Sequence, residues 1–121
     1  MSIKTGPLDT LFSKFIRMRA IARGGCERCG TGKVDIKGLQ CSHFYRRNKM
    51  SVRWDEDNAA GLCPGCHRYL DDEAVDKVEF FQRLLGQEKY DQLKHRMRQL
   101  GTPDKEVLKI YLKAKIREIE L

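Results

Sequence analysis

Three side chains between Leu39 and Leu70 could do chemistry: His43, Asn58 fifteen residues on, and His67 nine residues after that. A histidine titrates near neutrality, so His43 is suited to take a proton at physiological pH. His67 is followed four residues later by Asp71, and on a helix this spacing stacks both side chains on one face, a natural pair of cation ligands. Asp72 is the competing carboxylate. The Asn58 amide both donates and accepts, which suits it to pinning a loop so that the His43 strand faces that helix.

The cysteines supply a second chemistry. Cys26-Glu27-Arg28-Cys29 and Cys63-Pro64-Gly65-Cys66 are two thiol pairs, and together they offer the four thiolates of a tetrahedral structural zinc site. The glycines of residues 24–33 allow the sharp turns of a knuckle. Residues 30–62 separate the pairs by more than the ~15–20 of a simple ribbon motif, so a folded insert between the knuckles is expected. Taken alone, Cys63 to His67 also fits a haem-attachment sequence or a thioredoxin-like redox pair. The first needs an exported protein and the second a parallel α/β layout, and the upstream pair argues against both. Cys41, the fifth cysteine, reads as a small buried hydrophobe.

Several elements must position these groups. Asp35 to Phe44 and Ser51 to Trp54 read as two short strands joined by the basic connection Tyr45 to Met50. Asp55-Glu56-Asp57-Asn58 reads as a turn whose acids face solvent. A helix is expected from Pro64 to about Glu73. Upstream, Pro7 opens an amphipathic helix with Leu8, Leu11, Phe12, Phe15, Ile16 and Ala22 on its apolar side, ending at Gly24-Gly25. Its Lys14, Arg17, Arg19 and Arg23 read as a solvated face. Downstream, helices are expected over Val75 to Leu85, Gln87 to Leu100 and Asp104 to Leu121. In the last, Val107, Leu108, Tyr111, Leu112 and Ile119 form the apolar side, and Lys105, Lys109, Lys113 and Arg117 a charged one.

At 121 residues the chain is expected to form one domain, small enough to want a metal staple. Its 24 Lys+Arg against 17 Asp+Glu give a net charge of +7, which favours an anionic partner, nucleic acid before membrane. Arg46, Arg47, Lys49 and Arg53 crowd the region beside His43 and are expected to contact DNA phosphates. No apolar run approaches ~18 residues and no signal-peptide pattern is seen, so a reducing cytoplasm is expected.

The stretches CERCG, CSHF, VRWDEDN and CPGC resemble the HNH nuclease superfamily, and more narrowly the phage NinG (Rap) recombination endonucleases. The resemblance covers about Cys26 to Leu121 and continues into GQEKYDQL and the charged last helix. It implies an α+β fold with a ββα-metal (HNH/His-Me finger) core, braced by a structural Zn2+ on Cys26, Cys29, Cys63 and Cys66. Residues 25–74 would be the knuckles and core and 75–121 a helical C-terminal part, while the N-terminal helix that the periodicity places in residues 1–24 stays unassigned by the resemblance. It further implies metal-dependent hydrolysis of DNA, on branched recombination intermediates. His43 would activate water, Asn58 would complete the catalytic set, and His67 with Asp71 would hold a catalytic Mg2+ or Mn2+. Recombination proteins or a second copy are the further partners it suggests, in the cytoplasm of a bacterial host. Ser42 departs from the pattern, because many HNH enzymes carry Asp or His before the base as a further metal ligand. The other reading of the same residues is a zinc module that binds DNA or a recombination partner without cutting.

Overall fold

The structure, a computed structural model, describes residues 4–32 and 35–120. Lys33, the end of the expected first knuckle segment, and Leu121, the end of the expected last helix, lie outside the described residues. Among those described, the chain is α+β: five α-helices and one antiparallel pair of strands.

Helix α1 (Pro7–Ala22) begins with Pro7 at its first turn, and the Asp9 carboxylate accepts the Gly6 N–H at 2.9 Å. It stops before Gly24 and Gly25, both at positive φ. A Cβ at Gly25 would sit 2.2 Å from the Thr31 carbonyl, so the turn into the first cysteine pair requires glycine. The buried stripe is Phe12, Phe15, Ile16 and Ala20, while Ala22 is exposed. Arg19, expected to be solvated, reaches inward and donates to the Glu56 and Ala59 carbonyls at 2.8 and 2.7 Å.

Strand β1 (Gln40–His43) pairs with β2 (Ala59–Leu62), placing Gln40 opposite Leu62 and His43 opposite Ala59. The first expected strand is thus shorter than Asp35 to Phe44, because Ile36–Gly38 forms a 3-10 turn capped by the Asp35 carboxylate. The second is corrected outright. Ser51 to Trp54 is not a strand but part of a chain of turns, in which the Arg46, Lys49 and Val52 carbonyls accept the amides of Lys49, Val52 and Asp55. The true strand, AAGL, is poor in β-formers. It forms because α1 lies across it: a Cβ at Gly61 would meet Ala20 Cβ at 2.5 Å and the Ile16 carbonyl at 3.3 Å, so only small residues allow the approach.

Helices α2 (Pro64–Asp72), α3 (Ala74–Leu85), α4 (Gln87–Met97) and α5 (Lys105–Glu120) follow the expected order. Leu112 and Ile116 of α5 pack with Phe12, Phe15 and Trp54, whereas Val107 and Tyr111, expected on the apolar side, are 62% and 41% exposed. The acidic run is also corrected. Arg96 of α4 holds Asp55 at 2.6 Å and Asp57 at 3.0 Å, and the Tyr111 hydroxyl donates to Glu56, so these acids dock the C-terminal helices onto the Asn58 turn. No helix among the described residues is long and apolar enough to cross a membrane.

Candidate functional site

The two cysteine pairs converge. The Sγ atoms of Cys26, Cys29, Cys63 and Cys66 all lie within 4.8 Å of one another, with Cys29 and Cys63 at 3.9 Å. Zn–S bonds of ~2.3 Å in a tetrahedron set neighbouring sulfurs ~3.8 Å apart, so the cluster fits a structural zinc. Cys41 is not part of it. Burial pushes the Cys41 thiol up to about 12, as befits a small apolar side chain.

Each knuckle is locally determined. The first folds back through Gly30 N–H to the Cys26 carbonyl (2.9 Å) and Cys26 N–H to the Thr31 carbonyl (3.1 Å). Hydrogen bonding to Thr31 lowers the Cys29 thiol to about 6. The second knuckle is the start of α2, with Cys63 as its N-cap, Pro64 behind it and Cys66 in its first turn. Arg28 donates to Cys66 Sγ at 3.3 Å, placing a positive charge beside the four sulfurs. Glu27, between the first two cysteines, docks that knuckle on β2: its carboxylate accepts the Gly61 N–H at 2.7 Å and pairs with Arg19 and Arg23.

Beside this brace a cleft of about 910 Å³ opens between α1, β1 and α2. His43, His67, Asp71, Arg46 and Arg47 line it, together with Asp9, Ser13 and Gln40. His43 Nε2 lies 3.1 Å from the Arg53 carbonyl. A carbonyl can only accept, so Nε2 carries the proton and Nδ1 of the neutral ring keeps its lone pair. Burial holds the His43 pKa below its ordinary value, outweighing the opposing Arg53 carbonyl, so the ring is neutral at physiological pH.

Opposite, the Gln40 side-chain oxygen accepts from His67 Nδ1 at 2.7 Å, and His67 Nε2 stands 3.4 Å from Asp71 Oδ2. Two ligands at right angles on a divalent ion with ~2.1 Å bonds stand ~3 Å apart, so this pair can share a cation. Asp71 lines the cleft and Asp72 does not. Lys77 already pairs with Asp71 Oδ1 at 3.0 Å. Ser42 is fully buried, and its hydroxyl finds no hydrogen-bond partner.

Asn58 is fully buried and acts as a clamp. Its oxygen accepts the Tyr45 N–H at 2.8 Å, and its amide donates to the Tyr45 and Val52 carbonyls, both at 3.0 Å. Its own carbonyl accepts the Phe44 N–H, extending the ladder one step past His43.

The expected basic cluster is divided. Arg46 and Arg47 border the cleft, with Arg47 donating to Thr5 at 2.9 Å, and Lys49 is exposed away from it. Arg53 is corrected: it is 6% exposed and its fork grips Asp9 at 2.9 and 2.7 Å, so it does not face a phosphate. Asp9, Gln40, Glu27 and Gly61 escaped the sequence reading. Only Asp9 had a local signal, as an acid two residues after a helix-opening proline, and that signal announces a helix start rather than a site.

No family model, curated protein or solved structure matches this chain.

Proposed function

We propose that the chain is a metal-dependent DNA endonuclease of the HNH type, with β1, β2 and α2 as its ββα-metal core and a zinc on the four cysteines as its brace. The reading begins from the resemblance of CERCG, CSHF, VRWDEDN and CPGC. The observation that carries it is the neutral His43, with its Nε2 proton on a main-chain carbonyl, sharing one cleft with His67 and Asp71. Hydrolysing a phosphodiester needs a positioned group that takes a proton from the attacking water, and here that acceptor would be Nδ1. His67 and Asp71 would hold a Mg2+ or Mn2+, which supplies charge stabilisation at the phosphate. Arg46 and Arg47 would hold neighbouring phosphates, and the Asn58 clamp keeps the loop that carries the Arg53 carbonyl in register. Branched recombination DNA is the substrate class implied by the resemblance.

Two observations favour the second reading, a zinc module that binds DNA without cutting. Lys77 occupies one Asp71 oxygen, and Ser42 adds no ligand from the strand. Cleavage of linear, flapped and four-way DNA, with and without Mg2+ or Mn2+, decides between them. The nuclease reading expects divalent-dependent cleavage that His43→Ala lowers about 10²–10⁴-fold while DNA binding persists. Binding with no cleavage of any of these DNAs by the parent protein, under either metal, would establish the module instead.

A further inference from the structure

The resemblance leaves α1 without a role, yet the structure joins that helix to the His43 loop through one carboxylate. Asp9 accepts four hydrogen bonds. Oδ1 takes Arg53 Nε at 2.9 Å and Trp54 Nε1 at 3.0 Å; Oδ2 takes Arg53 Nη2 at 2.7 Å and the Gly6 N–H at 2.9 Å. Burial alone would raise its pKa, but the bonds from Arg53, Gly6 and Trp54 prevail and hold the group ionised. The Arg53 fork is further fixed by the Lys4 carbonyl at 3.0 Å. The ion pair is largely screened from water, with side chains 7% and 10% exposed.

We infer that Asp9 is the positioning residue for His43: by gripping Arg53 and Trp54 it holds the Arg53 carbonyl where that carbonyl fixes the imidazole in its Nε2–H form. Asn58 secures the same peptide segment from the other side, through the Val52 carbonyl. The segment 52–54 is a turn with no ladder bonds across the sheet; besides its local turn bonds and the packing of Trp54, these side-chain grips fix where its Arg53 carbonyl sits. The tolerance is narrow. The His43 bond measures 3.1 Å, and a drift of about 0.5 Å takes it beyond the range of a real hydrogen bond. Released from the carbonyl, the ring can carry its proton on Nδ1, and the nitrogen needed to accept a proton is then blocked. Phe12, also on α1, packs against the ring at 5.7 Å between centroids, so the same helix limits ring tilt. Helix α1 therefore belongs to the site.

The kinetic consequence rests on the nuclease reading, but the tautomer itself does not. The test uses the zinc-loaded full chain with 15N-labelled histidine, whose ring nitrogens report which one is protonated. The His43 signals are assigned by their loss in His43→Ala. The parent is expected to show His43 as a single Nε2–H tautomer. Asp9→Asn replaces an acceptor oxygen by a donor amide facing Arg53 and Gly6. It is expected to give a mixture of tautomers and to lower kcat about 10–100-fold, the usual scale for losing an outer partner of a site histidine, with KM for DNA unchanged. If Asp9→Asn does not fold, Asp9→Asn with Arg53→Met leaves no buried charge unpaired and takes the same measurements. A folded variant in which His43 keeps the parent tautomer overturns the inference, whatever its activity. A parent protein that cuts no DNA would sink the nuclease reading alone, since the nitrogen signals still decide the role of Asp9.

Discussion

Replacing Asn58 by alanine is the perturbation that best separates architecture from chemistry in the proposed catalytic set. Its amide makes three hydrogen bonds inside the fold and has no contact with solvent. Val52 O keeps a second partner in Asp55 N–H, so truncation strands chiefly the Tyr45 N–H and carbonyl. Leaving a buried polar group unmade costs about 1–3 kcal/mol each, so the expected loss is about 3 kcal/mol once partial water entry is allowed. For a domain of this size that lowers Tm by roughly 9–18 °C, at about 3–6 °C per kcal/mol. Urea titration at fixed, saturating zinc measures it, because metal binding otherwise moves the apparent stability. Asn58→Asp sharpens the test: the shape is nearly conserved, but a carboxylate cannot donate to the Tyr45 and Val52 carbonyls. It is therefore expected to cost at least as much as alanine. A loss below about 1 kcal/mol for Asn58→Ala, or an Asn58→Asp variant as stable as the parent, would refute the clamp.

The four-cysteine cluster predicts about one zinc per chain by elemental analysis. Stripping it with a chelator should collapse the far-UV spectrum, because structural zinc is worth about 10–16 kcal/mol in small peptides and a whole domain only about 5–15; an unchanged melting curve after complete removal would count against a structural metal. For His43, burial depresses the pKa, and on the nuclease reading the neutral ring is the working form, so divalent-dependent cleavage should persist as pH falls to about 6.5 and decline only below it. The same sign applies to stability: the unfolded state takes the proton first, so the contribution of this residue is present above the unfolded pKa and is lost as pH falls through the folded one. An acid limb centred above about 6.5 in the kcat/KM profile would contradict the buried, neutral base.

The motif residues were legible because their spacing is local chemistry. The paired cysteines, the His67–Asp71 step and the helix starts at Pro7 and Pro64 each depend on a few consecutive residues. The second strand was not legible, because Ser51 to Trp54 has the composition of a strand and AAGL does not. Its identity is decided by the close approach of α1 to Gly61, a contact between distant parts of the chain. Arg53 failed for the same reason. A basic residue in a basic run reads as surface, and only the fold reveals Asp9, forty-four positions upstream, as its partner. The acids Asp55, Glu56 and Asp57 likewise look like a solvated turn until Arg96 and Tyr111 reach them from later helices.

These long-range ties answer a mechanical problem. A sheet of two four-residue strands is marginal by itself, yet it must hold His43 on one side of the cleft and α2 on the other. The cysteine cluster addresses the α2 side. With Cys63 at its N-cap and Cys66 in its first turn, the cluster sets both the start and the rotation of the helix. At about 100° per residue, the rotation that aims Cys66 at the cluster also dictates where His67 and Asp71 face. On the His43 side no such cluster stands among the described residues, and there the fixed points are polar: Asn58 on Tyr45 and Val52, Asp9 on Arg53 and Trp54. The two sides can therefore fail separately. Damage at the cysteines should turn α2 and displace His67 and Asp71 while the His43 loop keeps its own grips. Damage at Asp9 or Asn58 should loosen His43 while the helix and its carboxylate stay in place.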